Sequence, residues 1–390
     1  MLIRLLRAYL HPYRRWLVAV ILFQLVATIA ALYLPSLNAD IIDNGVAQGD
    51  TTYIVRIGGV MLLATLGQIT ATIAAVYFGA KSAMSFGRDV RNAIFHQVGT
   101  FSAREVAQFG APSLITRNTN DVQQVQMLVL MSCTMLVMAP IMGVGGIVMA
   151  LQEDVGLSWL VAVAVPVLII GVALIARRMV PAFRAMQERI DAVNRVLREQ
   201  ITGIRVVRAF VREKHETDRF ADANTQLTDT ALRVGRYMAI MFPFVMLVFN
   251  ASSVAVIWFG AGRIDSGQMQ IGSMTAFLAY LMHILMAVMM ATFMIVMLPR
   301  ATVSAERIGA VLATESSVRP PDSPVTELAP IASLELRGAT FAYPGADEPV
   351  VSDVTFAAKA GQTVAVVGST GAGKSTLVNL IPRLGDVTGG

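Results

Sequence analysis

The chain has 390 residues, 55% of them hydrophobic and only 15% charged, with a net charge of +5 at pH 7. A soluble domain carries about 25% charged residues, so the composition argues against an ordinary soluble protein and for a membrane protein. The single cysteine, Cys133, excludes an internal disulfide framework and a multi-cysteine metal site, and the four scattered histidines exclude a histidine metal cluster.

At the start of the chain, Leu2, Leu5, Leu6 and Tyr9 fall at helical spacing with Arg4 and Arg7 between them. That pattern predicts a short amphipathic helix on the membrane surface. Pro12 should break it and turn the chain toward the bilayer. No small-residue cleavage site follows, so a removable signal peptide is not expected. Six apolar runs without Asp, Glu, Lys or Arg come next, at 16–39, 57–80, 127–151, 155–176, 237–262 and 271–298. Each exceeds the ~20 residues needed to cross the hydrocarbon core. They are too long and uniform for barrel strands, so six transmembrane helices are predicted. Pro35 and Asn38 should weaken the last turn of the first span.

The connections set the orientation. The N-terminus carries Arg4, Arg7, Arg14 and Arg15. The link between the second and third spans carries Lys81, Arg88, Arg91, Arg104 and Arg117, and the link between the fourth and fifth has a dense basic series from Arg177 to Lys214. The alternate links are short; 152–154 has no Lys or Arg, and the last has only Arg263. The positive-inside rule puts both ends and both long links in the cytoplasm of a multi-pass inner-membrane protein. Residues 177–236 are too long and too periodic for a bare loop, with Ile190, Val193, Leu197 and Ile201 at helical spacing. Two helices of ~25 residues would carry them roughly 40 Å into the cytoplasm and back. Residues 81–126 read similarly, with a break at Phe109-Gly110-Ala111-Pro112.

Inside the spans the polar residues are few: Gln24, Gln68, Asn250, Ser252, Ser253 and His283. Such groups face the bundle interior, as interhelical hydrogen bonds or as cargo contacts. The last span is rich in methionine, which packs adaptably against varied apolar partners.

Residues 313–332 hold Pro320, Pro321, Pro324 and Pro330 among Ser, Thr, Asp and Glu, a linker composition. Strand-like runs follow at 333–343 and 350–358, and a third, 363–367, feeds the motif G-x-x-x-x-G-K-[ST]. The motif comprises Gly368, Ser369, Thr370, Gly371, Ala372, Gly373, Lys374, Ser375 and Thr376, and it opens a helix. Glycines let the backbone turn so that several N–H groups converge on a phosphate. The helix adds the positive end of its dipole. Lys374 is expected on the β- and γ-phosphates, and the Ser375 hydroxyl on a Mg²⁺ ion. Tyr343 stands 25 residues before Gly368; its spacing alone fits an adenine stack and a core tyrosine equally well. The expected fold class is therefore a membrane all-α six-helix transmembrane domain with long cytoplasmic helical extensions. It is followed by the N-terminal part of an α/β P-loop nucleotide-binding domain. The expected boundaries are 1–312, a linker at 313–332, and 333–390.

Six spans, two cytoplasmic excursions, a linker and a phosphate-loop segment on one chain resemble a half-transporter of the ATP-binding cassette (ABC) exporter family, of the multidrug or lipid type. Phe341-Ala342-Tyr343-Pro344 resembles that family's adenine-stacking loop, which implies an adenine contact for Tyr343. Residues 201–210 (ITGIRVVRAF), with Glu213, Glu216 and Phe220, resemble its second excursion; 113–122 (SLITRNTNDV) resemble its first. In the family the coupling helices at these tips rest in grooves of the nucleotide-binding domains, the second on the partner subunit. The resemblance implies ATP and Mg²⁺ as cofactors, a second half-transporter subunit as homo- or heterodimer partner, contacts with membrane lipid and a small-molecule or lipid substrate, and no nucleic acid. It implies an ATPase coupled to export of an apolar or amphipathic drug, lipid or peptide. Alternatives are an exporter-fold importer of a metal–chelator complex, an inactive truncated subunit, and a non-transporting membrane regulator.

The departure from the family lies after the loop. The glutamine loop, the LSGGQ-type signature, the acidic Walker B strand with its catalytic glutamate and the switch histidine do not occur in the sequence. The catalytic base is therefore not named. The expectation is a chain truncated shortly after the phosphate loop that does not hydrolyse ATP by itself, a natural degenerate subunit being the alternative.

Overall fold

The computed structural model describes residues 1–319, 323 and 333–390. Most of the expected linker, 313–332, lies outside the described residues. Among the described residues six helical stretches are long and apolar enough to cross a membrane: Leu2–Val46, Thr51–Gly99, Ala111–Glu153, Ser158–Ala209, Glu213–Asp265 and Ile271–Leu312. With the basic residues gathered in alternate links, the protein is a multi-pass inner-membrane protein whose two ends are cytoplasmic. The chain divides into two compact units.

One unit comprises Arg15–Ala80 and Leu130–Met297. It holds most of α2 (Arg14–Asp40), the first part of α3 (Thr51–Gly99), α7 (Val137–Glu153), α8 (Ser158–Ala209), α9 (Glu213–Asp265) and most of α10 (Ile271–Leu312). Its core is built on α10, where Phe277, Tyr280, Leu281 and Ile284 are fully buried against Leu32, Leu160, Leu168 and Val256. Lipid offers helices no hydrophobic drive to associate, so close van der Waals approach must hold them. Small residues supply it: a Cβ on Gly145 would lie 2.4 Å from Leu32, and one on Gly171 only 2.1 Å from the Phe244 ring.

Pro35, expected to weaken the last turn of the first span, does not end α2; the helix runs on to Asp40 and then widens into a π turn, Ile41–Val46. Proline frees a carbonyl one turn back. In the same turn the buried Tyr280 hydroxyl donates to the Leu32 carbonyl at 2.9 Å, so α2 is braced where its own ladder is weakest. At the outer end of the bundle, the Asp154 carboxylate is buried. It accepts the Leu157 N–H at 2.8 Å and pairs with the Arg263 Nε at 3.0 Å.

Both arms of the second excursion are helical, as its periodicity predicts. α8 and α9 continue beyond the expected spans and reverse between Ala209 and Glu213. Arg219 bridges to Glu199 at 2.6 Å and Arg189 to Gln226 at 2.8 Å, tying the two helices together. The tip exposes Phe210 and Val211, and Val211 sits in the left-handed region at φ 53°. A branched side chain there costs about 1–2 kcal/mol. Val211→Gly is therefore expected to raise the thermal unfolding midpoint; a midpoint that falls would contradict the strain.

The other unit comprises Met1–Arg14, Lys81–Val129 and Leu298–Gly390. α1 (Leu2–Leu10) buries Leu2 and Leu5, and a 3₁₀ turn at His11–Tyr13, which carries Pro12, separates it from α2. The Tyr9 ring meets Phe86 edge-on at 6.4 Å. The first excursion is more broken than the second. After α3 come α4 (Ala103–Phe109), α5 (Ala111–Thr116), a π turn at Arg117–Asp121 and α6 (Val122–Met131). The expected break falls at Gly110, whose φ of +76° suits glycine.

The nucleotide-loop segment contributes β1 (Ser333–Phe341), β2 (Val351–Lys359) and α11 (Lys374–Leu380). β1 and β2 pair antiparallel from Ser333↔Lys359 to Phe341↔Val351, with irregularities on either side of Ala339. Gly338 at φ +60° and Asp353 at φ +49° take up the extra residues. The expected strand at 363–367 is not formed. Among the described residues no strand pairs with it, and Val367 is 91% exposed. A β-branched run becomes a strand only when neighbours satisfy its backbone and cover its faces.

Candidate nucleotide-binding loop

Lys374, expected at the phosphates, opens α11 and folds its side chain back over the loop. Its ammonium donates to the Gly368 carbonyl at 2.9 Å and the Ser369 carbonyl at 2.7 Å. The loop is thus curled around one positive charge. Two glycines allow this curl: Gly371 at φ +89° and Gly373 at φ +80°. At Gly373 the constraint is double, because a Cβ there would also lie 2.7 Å from the Val350 carbonyl. The Ala372 N–H donates to the Ser369 carbonyl at 3.2 Å, and the Leu377 N–H to Gly373 at 2.9 Å, which ties loop to helix.

The donor chemistry fits a polyphosphate. Residues 363–380 contain no Asp or Glu, so no carboxylate within the stretch opposes an anion. They supply an ammonium at Lys374, hydroxyls at Ser369, Thr370, Ser375 and Thr376, and the amides of a glycine loop. Ser375 is exposed, with its hydroxyl at the start of α11.

Tyr343 is positioned by its own turn. In Tyr343-Pro344-Gly345-Ala346, proline presets the second position and Gly345 takes φ +79° at the third. The Ala346 N–H closes the turn on the Tyr343 carbonyl at 3.0 Å. The Tyr343 hydroxyl lies 3.1 Å from that of Thr376, and its ring meets Phe341 edge-on at 5.0 Å. The structure thus brings Tyr343 to the first turn of α11 with half its surface open. Tyr343 and Thr376 also line a cleft of about 800 Å³ whose other wall includes Arg104 and Gln108 of α4. The glycines of the loop do not line this cleft.

Sequence reasoning placed the first excursion's family-like segment at 113–122 and did not single out α4. The signal was present. Ser102-Ala103-Arg104-Glu105 is a capping box, S-x-x-E, and it starts α4 in the structure.

Comparison with known proteins gives a consistent result. The family model described as "ABC transporter transmembrane region" matches residues 17–289, and the one described as "ABC transporter" matches residues 351–390. An uncharacterised ABC transporter ATP-binding protein of Mycobacterium tuberculosis is 54% identical over the whole chain. The chain covers 67% of that relative's length. A multidrug efflux ATP-binding/permease protein of the same species is 29% identical over 99% of the chain, which covers 32% of it. An ATP-dependent lipid A-core flippase of Syntrophus aciditrophicus is 30% identical over 77% of the chain and 50% of its own length.

Proposed function

Because the chain belongs to the ABC transporter family, with its transmembrane region and part of its nucleotide-binding domain on one polypeptide, we propose that it is the ATP-binding and permease subunit of an exporter. Its cargo is an apolar or amphipathic drug, lipid or peptide. The observation that carries this reading is the Lys374 loop joined to six apolar spans on a single chain. Two further facts support the direction and the cargo class. Relatives that match the chain include a multidrug efflux protein and a lipid A-core flippase. The spans carry few ionisable groups, with His283 within the 271–298 run, which disfavours an ion pathway.

Family membership implies a dimer, and we assign the partner as a second half-transporter, identical or not. We place the division of the chain at 1–312, 313–332 and 333–390.

In this reading each loop residue has a task. Lys374, now on two loop carbonyls, would hold phosphate oxygens, and the amides of Gly368, Ser369, Thr370, Gly371, Ala372 and Gly373 would face the same anion. Ser375 would hold Mg²⁺, and Thr376 fixes Tyr343, whose ring would stack on adenine. ATP with Mg²⁺, when bound, supplies a γ-phosphate charge that biases a two-state element. Val211, Phe210 and their basic neighbours at the second excursion's tip dock on the partner's domain.

Inside-out membrane vesicles containing the full-length protein test the direction. They are expected to accumulate an amphipathic fluorescent dye or a fluorescent phospholipid when given ATP and Mg²⁺. Accumulation only in right-side-out vesicles would make the protein an importer and overturn the reading. The adenine contact is tested by nucleotide titration. Stacking on a base contributes about 1–3 kcal/mol, so Tyr343→Ala is expected to weaken ATP binding about tenfold or more. Tyr343→Phe, which keeps the ring, retains most of the affinity.

A further inference from the structure

The first excursion is fastened to the chain that leaves the last span. The fastening begins inside α10. The buried Asp121 carboxylate accepts the Ser304 hydroxyl at 3.0 Å and faces the Arg307 guanidinium at 3.6 Å. Arg117 donates to the Arg307 carbonyl at 2.9 Å and lies over the Phe109 ring at 4.8 Å. It continues past α10. The Gln97 amide donates to the Thr314 carbonyl at 2.7 Å. The Ser102 and Ser317 hydroxyls are 2.9 Å apart.

Glu105 lies at the centre of this second group and is only 4% exposed. Its Oε2 accepts both the Ser102 N–H at 2.9 Å and the Ser102 hydroxyl at 2.6 Å. Its Oε1 accepts the Ser317 N–H at 3.3 Å. An ordinary capping box needs only one carboxylate oxygen and can stay at the surface. Here the second oxygen reaches 212 residues along the chain. A buried carboxylate is costly unless its lone pairs are satisfied, and both oxygens are. Burial raises the Glu105 pKa, and the hydrogen bonds from Ser102 and Ser317 outweigh it and hold the carboxyl below its usual range. Its contribution is therefore present at cytoplasmic pH and lost only as pH falls through that lowered value.

We propose that Glu105 is a positioning residue that locks α4 and the chain at 314–317 into one moving body, so that the start of the linker travels with the tip of the first excursion. This rests on the transporter reading above. Motion of the spans then reaches the nucleotide-loop segment along two routes, through the α4 wall of the cleft and through the chain at 314–317. This strap, the contacts of Gln97, Ser102 and Glu105 with residues 314–317, stays closed through the cycle.

A cross-link tests this directly. The Ser102 and Ser317 side chains are close enough for a disulfide, and the single cysteine of residues 1–390 is the buried Cys133. Full-length Ser102→Cys/Ser317→Cys protein, with Cys133→Ala, is oxidised in membranes and assayed for ATPase stimulated by the amphipathic fluorescent dye used for vesicle uptake. The cross-linked protein is expected to keep its stimulated rate, because the two parts never separate. Glu105→Ala is expected to lose stimulation about tenfold, as for a hydrogen-bonded charge removed, with basal turnover kept. Cross-linking Glu105→Ala in the same cysteine background should restore stimulation, a rescue that a role limited to folding of α4 would not give. A cross-link that stops turnover reversibly with reductant would show that the strap opens, and overturns the proposal; so does Glu105→Ala with full stimulation. Unmodified full-length protein without any ATPase would overturn the transporter reading instead.

Discussion

Lys374→Ala in the full-length protein is expected to abolish ATP-driven transport and to lower ATP turnover by about 100-fold or more, the scale of losing one preorganised charge at a phosphoryl centre. No other residue of the loop or its helix carries a positive charge: among residues 363–380 Lys374 is the only Lys or Arg, and the loop is curled on its ammonium through the Gly368 and Ser369 carbonyls. Alanine removes the charge and leaves those two carbonyls facing an incoming anion. Lys374→Arg is expected to fail as well, because a planar fork does not fill the place of a compact ammonium. The measurement is phosphate release and vesicle uptake at matched expression. Wild-type turnover in Lys374→Ala would remove the loop from the mechanism.

The second large effect is structural, within the membrane-spanning bundle. Arg263→Ala is expected to destabilise the protein by about 3 kcal/mol, the low end for a buried charge left without its partner. Asp154 is 6% exposed, so removing Arg263 takes away the partner of a buried charge, although the Leu157 N–H at 2.8 Å still serves one oxygen. Arg263 itself stays about a third open, which places the value low in the range. The Glu199–Arg219 pair gives the contrast. Both its side chains are more than 40% exposed, and such a pair contributes about 0–1 kcal/mol. Thermal unfolding of the purified protein should therefore show a clear drop for Arg263→Ala and almost none for Arg219→Ala. Asp154→Asn combined with Arg263→Ala should recover part of the loss, since the remaining amide carries no charge. Equal drops for the two arginine variants would refute the distinction.

Much of this was legible in the residues. The spans could be read because lipid demands long, uncharged, self-satisfied helices, and such runs leave a plain mark in the sequence. The orientation could be read from where the arginines lie. The loop could be read because Gly371 and Gly373 are needed for their backbone angles and Lys374 for its charge. Tyr343 was half legible. Its Pro344-Gly345 turn is local, but its meeting with Thr376 is not.

What the sequence determined by itself was thus whatever a short stretch must satisfy alone: a span, a turn, a capped helix start, a phosphate loop. What only the tertiary structure decided were the long-range partnerships. Tyr280 finds the carbonyl beside Pro35, Asp154 finds Arg263, and Glu105 spends its second oxygen on Ser317. Residues 363–367 make the same point in reverse, since a run written like a strand stays unpaired when no neighbour closes its hydrogen bonds. The physical reason is common to all four. Local geometry is fixed by each residue's own dihedral and solvation preferences, whereas a buried polar group or a strand edge is satisfied only by a partner that folding brings from elsewhere in the chain.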